Sequence, residues 1–354
     1  MVMVVDQTID EALRLGASTA TIKSMVPFLN KYSIDSVDVS LRNLKRYGVS
    51  IEQTGVLPFM RCIINPSLDE ISQARQMGFS KVVIRWFHQS KNSSLDQLIA
   101  AFSAASEFSQ EIYLCIENVF DLSLSEFACY YSILTDYKVK RFIYHDQGGT
   151  MEPFRICQDL KLLKPLLPCL IEFHAHNTYG LATANSLAAI RSGVSYVATA
   201  VSGIGLPNHA AMEEVLMAVK LLWKRDNLPS GSFLANDCKY ILSSLGIHLP
   251  VDKALIGRDV FAHESGIHVD GITKNPLLYE VIQPEEVGQT RQLIIGKHSG
   301  TVSLKMKFLQ WHLELDQAEA VTMLAKVRKI AISQKRSLSD LQLQQLYWRR
   351  NEME

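Results

Sequence analysis

Short β-rich runs alternate along the chain with segments of helical periodicity. The runs are "VMVV" (2–5), "SVDVSL" (36–41), "MRCII" (60–64), "KVVIRW" (81–86), "IYLCIE" (112–117), "RFIYHD" (141–146), "LIEFHAH" (170–176) and "YVATAV" (196–201). Helix-like segments lie between them, among them "SLDEISQARQMG", "SLDQLIAAFSAASEFS", "SEFACYYSILTDY", "EPFRICQDLKLL" and "TANSLAAIRSG". "NHAAMEEVLMAVKLLW" follows the eighth run. This alternation predicts βα units and a parallel sheet. Eight units within the first 225 residues or so predict an α/β fold, a (β/α)8 TIM barrel, which typically takes about 250 residues. A doubly wound open sheet is the alternative. No G-x-G-x-x-G follows the first run, which weakens a dinucleotide-binding version.

The alternation stops near residue 229. "LANDCKYILSSLG" predicts a linking helix ending at Gly246. A stretch rich in Gly, His and Pro runs from Gly257 to Gly300, and helical patterns return in the tail. The expected organisation is a barrel over 1–228, a linking and loop segment over 229–300, and C-terminal helices over 301–354. Long irregular stretches in compact proteins are usually functional or disordered. The histidines, aromatics and apolar anchors of this one favour function.

The chain has 354 residues, enough for a barrel plus a smaller region. Lys+Arg and Asp+Glu number 36 each, so nothing points to nucleic acid or a membrane surface. The six cysteines are scattered, with no C-x-x-C pair, and predict reduced, mostly buried thiols of a cytoplasmic protein. No apolar run reaches the 20 or so residues that span a bilayer.

In a barrel the chemistry sits at the C-terminal ends of the strands. The first strand end carries Asp6, Asp10 and Glu11, the fourth Arg85 and His88, and the fifth Glu117 and Asn118. The sixth carries His145, Asp146 and Gln147, and the seventh Glu172, His174, His176 and Asn177. Ser202, Asn208 and His209 follow the eighth. The pair Asp10–Glu11 fits either the acidic first turn of a helix or a piece of an active site. "EFHAHN" is the sharpest signal. Residues i and i+2 of a strand point the same way, so His174 and His176 can aim at one point. Two neutral imidazoles plus a carboxylate suit a divalent ion such as Zn, Mn or Fe. Glu11 or Asp6 is the nearest candidate carboxylate. A pair of hydrogen-bonded histidines filling the mouth is the bland alternative. A second signal is "FAHESGIHVDGITKNPLLYEVIQPEEVG", with His263, Glu264, His268 and Tyr279 among its glycines. Histidine and tyrosine are natural proton-transfer groups.

"EFHAHNTYGLATANSLAAIRSG", "HESGIHVDGITKNPLLYE" and "GKHSG" together resemble the homocitrate synthase and isopropylmalate synthase family. The wording is most similar to the nitrogen-fixation-type homocitrate synthases. The resemblance is strong from about Glu172 to Gly300 and weak before residue 140. It implies a cytoplasmic acyltransferase that condenses acetyl-CoA with a 2-oxo acid, 2-oxoglutarate giving homocitrate. It implies a divalent metal, Mn, Mg, Zn or Fe, that polarises the ketone. The implied ligands are Glu11, His174 and His176, with a further asparagine at Asn208 or at the His209 position, of which Asn208 is taken. His268 and Tyr279 match the family's proton-transfer pair on a lid that covers a partner's barrel. Glu117 is assigned to catalysis, and Glu172, Gln147 and Ser202 to substrate binding.

Several positions depart from the family pattern. Asp10 stands where the family has an arginine expected to stabilise the enolate. Gln147 replaces a threonine. "GIGLPNHA" is one residue shorter than the family loop and lacks its Glu and Arg. A fixed cation facing developing negative charge is worth about 10²–10³ in rate. An aspartate would repel that charge, and Arg14 lies a full helical turn away. The altered mouth and intact lid favour a subunit donating His268 and Tyr279 to a related intact chain. The alternatives are a self-sufficient homodimeric synthase and a non-catalytic regulatory paralogue.

Overall fold

The structure, a computed structural model, describes residues 2–32, 34–47, 55–88, 94–117, 119–224, 231–264, 271, 280 and 282–349. Eight parallel strands close into one barrel in chain order. They are β1 (Met3–Asp6), β2 (Ile34–Ser40), β3 (Met60–Ile64), β4 (Lys81–Phe87), β5 (Glu111–Glu117), β6 (Arg141–Asp146), β7 (Leu170–Ala175) and β8 (Tyr196–Thr199). Closure comes from β1 against β8, with Met3 opposite Tyr196 and Asp6 opposite Thr199. All eight expected runs are strands, and the sheet is the expected TIM barrel.

Helices between the strands cover the outer face. Leu95–Ser106 buries Leu98, Ala101, Phe102 and Ala105, one stripe at helical spacing, and the Ser94 hydroxyl caps it by accepting from Gln97 N. Pro153–Leu163 starts with Pro at its first turn, and Glu152 accepts from the Phe154 and Arg155 amides. "SEFACYYSILTDY" was expected as one helix. It is two short helices, Leu124–Phe127 and Tyr131–Asp136, joined by a 3-10 turn at Ala128–Tyr130. The turn places Tyr130 in the core, where its hydroxyl accepts from Trp86 Nε1 at 2.8 Å. A tertiary partner overrides local periodicity here.

The barrel floor is polar. Arg61 on β3 is 0 % exposed and donates to both oxygens of Asp38 on β2 (2.7 and 2.9 Å) and of Glu172 on β7 (2.6 and 2.7 Å). Arg141 on β6 lies 3.5 Å from Glu172 and 2.7 Å from Asp35. The Tyr113 ring lies under both guanidinium groups, at 4.5 and 4.9 Å. Two buried carboxylates and two arginines thus fill the space where aliphatic layers usually pack. The planar guanidinium can bridge two carboxylates at once.

The chain divides into two compact units, Met1–Pro229 with Asp237–Leu249, and Ser230–Asn236 with Pro250–Glu354. In the second unit the helices Thr301–Leu309, Gln317–Gln334 and Asp340–Trp348 share a core of Leu304, Phe308, Leu324, Val327, Leu343 and Tyr347. Capping boxes begin the last two helices, at Asp316/Glu319 and Ser339/Gln342. Glu264 joins two of the sequence motifs: its carboxylate accepts from His298 N at 2.9 Å, and its carbonyl accepts from Ser299 Oγ at 3.0 Å. A Cβ on Gly296 would lie 2.5 Å from the Glu264 carboxylate, which would have to move aside. All six cysteines are free. Cys62, Cys115 and Cys238 are buried, Cys129 is exposed, and Cys157 and Cys169 are half-buried. Among the described residues no helix is long and apolar enough to cross a membrane.

Candidate active site at the barrel mouth

A cavity of about 570 Å³ opens at the C-terminal strand ends, lined by Gln7, Asp10, Glu11, Arg14, Arg42, Arg46, Arg85, His145, Gln147, His174, His176 and His209 among others. Strand register builds its floor. Glu117 pairs with His145 across β5 and β6, and His145 with His174 across β6 and β7. His176 follows β7 and pairs with His209 of the loop after β8. Asn177 N donates to the Asn208 carbonyl at 2.7 Å, and His209 N to the Gly203 carbonyl at 3.0 Å, which fixes that loop against the barrel.

Four imidazoles therefore meet. Ring centroids are 4.3 Å apart for His145 and His174, 5.0 Å for His174 and His176, and 4.8 Å for His176 and His209. His174 Nε2 is 3.1 Å from His209 Nδ1. Burial, reinforced by His145, His176 and His209, pulls His174 far below the usual histidine range. Burial, with His145 and His209 adding to it, lowers His176 to about 3. Both rings are neutral at pH 7, the form in which imidazole binds a metal. Donor atoms of His145, His174 and His176 all lie within 4.8 Å of one another. Three buried imidazole donors at that spacing fit a divalent ion of borderline character. These three residues would hold it.

Glu11 lies on the helix Thr8–Arg14, beside the cluster but engaged. Its Oε2 accepts from Arg14 Nε at 2.5 Å, and its Oε1 is 3.8 Å from His209 Nε2. Burial disfavours its charge, but His209 and Arg14 outweigh that and hold the carboxyl below its ordinary value. The same pairing changes the picture of Arg14. One helical turn from Asp10, it nonetheless lines the cavity.

Asp10 does not stand free in the mouth. Its Oδ1 accepts from Ser40 N (2.7 Å), Ser40 Oγ (3.1 Å) and Asn43 Nδ2 (3.0 Å), at the start of the helix Leu41–Tyr47. Burial raises its pKa, and the Ser40 and Asn43 hydrogen bonds oppose that rise.

The remaining assigned residues separate. Gln147 lines the cavity. Its loop presses on β7, since a Cβ on Gly149 (φ +62°) would lie 2.7 Å from the His176 carbonyl oxygen. Asp146 orders the loop by accepting from Thr150 N and Met151 N, both at 3.1 Å. Glu117 stands behind His145, with Oε2 2.9 Å from Nδ1, and beside Arg85 at 3.6 Å. Glu172 lies one level below the mouth with both oxygens on Arg61, and does not line the cavity. Ser202 turns away: it sits at φ +56° and its amide donates to Glu213 Oε2 at 2.9 Å. Asn208 is exposed and offers the cluster only its carbonyl, 3.3 Å from His176 Nδ1. It is the imidazole of His209, not the Asn208 side chain, that lies against His174 and His176. His268 and Tyr279, and Asn118, lie outside the described residues.

Asp6, at the end of β1, gives a pH-dependent test of this region. Its Oδ2 accepts from Ile9 N at 3.1 Å, and its buried Oδ1 has no hydrogen-bond partner among the described residues. Burial, only partly offset by Thr8 and Ile9, raises its pKa from 3.8 to about 6. The folded protein keeps this proton where the unfolded chain has lost it. The contribution to stability is complete below about pH 4 and is lost as pH rises to about 6, a fall of about 2–3 kcal/mol. Asp6→Asn is expected to remove that fall. Denaturant titrations from pH 4 to 7 check it, and parallel curves for variant and wild type would refute it.

Residues 77–232 match the family described as HMGL-like, and residues 255–335 the homocitrate synthase post-HMGL domain-like family. The 2-isopropylmalate synthase 2 of Caldanaerobacter subterraneus subsp. tengcongensis is 44% identical over 208 residues, 58% of this chain and 54% of that one. Homocitrate synthase 1 of a Nostoc species is 39% identical over 209 residues, 59% and 55% of the two chains. The chain thus spans about half the length of the curated relatives it matches. Among solved structures, the HMG-CoA lyase of Bacillus subtilis superposes with a TM-score of 0.57 at 16% identity, over 70% of this chain and 95% of that one. The hydroxymethylglutaryl-CoA lyase of Pseudomonas aeruginosa gives 0.58 at 18%, over 70% and 94%. These two likenesses concern the fold. Two segments of the chain thus match these two family descriptions, and synthases of 2-isopropylmalate and homocitrate are among its relatives in sequence.

Proposed function

We propose that the chain serves the condensation of acetyl-CoA with a 2-oxo acid, 2-oxoglutarate giving homocitrate, as a subunit that donates His268 and Tyr279 to the barrel of a related, intact chain. In this reaction the acetyl methyl loses a proton, its carbon bonds to the ketone carbon, and hydrolysis of the thioester releases CoA. A divalent ion, when bound, supplies polarisation of the ketone. This chain's own residues would bind and orient: Gln147 faces the cavity from β6, and Arg85 lies beside Glu117. His268 and Tyr279 would move the protons in the partner's barrel.

The observation that carries the two-subunit reading is the Asp10 carboxylate, held by Ser40 and Asn43 where an enolate would need a cation. A carboxyl group there supplies no positive charge for the developing enolate that a synthase must stabilise. The arginines on the cavity wall (Arg14, Arg42, Arg46 and Arg85) favour a second reading, a self-sufficient homodimer whose substrate carboxylates pair with those side chains. The purified chain, supplied with acetyl-CoA and Mn2+ or Mg2+, is assayed for CoA release with 2-oxoglutarate or a branched 2-oxo acid. Turnover at background level alone, rising on addition of an intact family chain, is the expected outcome. Robust turnover by the chain alone would establish the homodimer instead.

A further inference from the structure

We propose that the barrel mouth is a histidine-built metal centre in which His145 joins His174 and His176 as a ligand, and that it takes a late transition ion such as Zn2+ in preference to Mg2+ or Mn2+. The assignment goes beyond the condensation reading and does not depend on it, since binding is measured without substrate.

Three observations carry it. His145 is 5 % exposed, and its Nε2 is buried without a hydrogen-bond partner among the described residues. An orphaned buried nitrogen is costly unless something binds it. Second, a carboxylate stands close to the other nitrogen of the same ring: Glu117 Oε2 is 2.9 Å from His145 Nδ1, within reach but without hydrogen-bond alignment. Metal-bound histidines almost always have a carboxylate or carbonyl near that nitrogen. Third, the one carboxylate of the expected ligand set is shared: Glu11 Oε2 is held by Arg14 at 2.5 Å, which leaves only Oε1 as a hard oxygen donor of the kind Mg2+ or Mn2+ prefers.

Geometry supports the count. Nitrogens bound at about 2.05 Å in a tetrahedral site lie about 3.3 Å apart. His174 Nε2 and His209 Nδ1 are 3.1 Å apart, at hydrogen-bond distance, so His209 stands beside the three-histidine group. The donor atoms of His145, His174 and His176, within 4.8 Å of one another, close to that spacing by small ring rotations. Imidazole selects Zn, Cu, Fe or Ni, whereas Mg2+ prefers oxygen.

The experiment uses the full chain stripped of metal with a chelator. Calorimetric titration with ZnCl2, MnCl2 and MgCl2 reads affinity and stoichiometry, and CoCl2 reads coordination through visible absorption. One Zn2+ per chain, bound far more tightly than Mn2+ or Mg2+, is expected, and Co2+ should show the intense bands of a four-coordinate site. His145→Ala should weaken Zn2+ binding on the order of 100-fold, more than Glu11→Gln does. His145→Gln, which keeps a polar side chain of similar size, provides a second variant if the alanine form fails to fold, and it should show the same loss. Zn2+ binding unchanged in a folded His145 variant, a greater loss for Glu11→Gln, or a purely octahedral Co2+ spectrum would overturn the assignment.

Discussion

Replacing Arg61 by Ala is expected to lower the stability of the barrel by about 3–5 kcal/mol, the typical consequence of removing one partner from a buried ionic group. The guanidinium donates to all four oxygens of Asp38 and Glu172. Without it, two carboxylates face each other in the floor, with Arg141 left 3.5 Å from Glu172. Asp38 keeps its bond from Gln7 Nε2 at 2.8 Å and lines the mouth cavity, whereas Glu172 is fully buried. Arg61→Lys keeps the charge but not the fork, and should lose an intermediate amount. The check is the denaturant midpoint followed by circular dichroism, with the slope confirming two-state behaviour. An Arg61→Ala protein within 1 kcal/mol or so of wild type, well inside the typical mutational range, would mean the floor is hydrated and not a sealed ionic plug.

The second large effect concerns catalysis. In a reconstituted pair with an intact family chain, His268→Ala on this chain is expected to reduce CoA release by about 10²–10⁴, the usual worth of a positioned proton-transfer group. Tyr279→Phe should act in the same direction. Oligomer assembly, followed by size-exclusion chromatography, should not change with either. An unaffected rate at saturating substrate would remove the donated-lid role while leaving the metal assignment untouched, because the two rest on different residues.

Much of the fold was legible because each strand carries its own local signature. The eight runs are dense in β-branched and aromatic residues, and the barrel follows from their spacing. The histidine pair of β7 was legible for the same reason, a period of two. Other features needed long-range register. His145 was recognisable only as a polar residue at a strand end; its role appears when β5, β6 and β7 bring Glu117, His145 and His174 into one row. Glu172 precedes the two histidines and shares their face, which suggested the mouth. It lies lower, and its partner Arg61 is 111 residues away in sequence. The choice between Asn208 and His209 hung on where a one-residue gap falls. Only the pairing of His209 with His176 settles whose side chain faces the cluster.

The Asp10 clamp bears on how this barrel could change over generations. An arginine at position 10 would meet the Ser40 amide, the Ser40 hydroxyl and the Asn43 amide group, all donors that now share one carboxylate oxygen. Donors would face a donor, and the start of the Leu41–Tyr47 helix would lose its anchor to the helix Thr8–Arg14. A change at position 10 is therefore coupled to positions 40 and 43, and its effect on stability depends on what stands there.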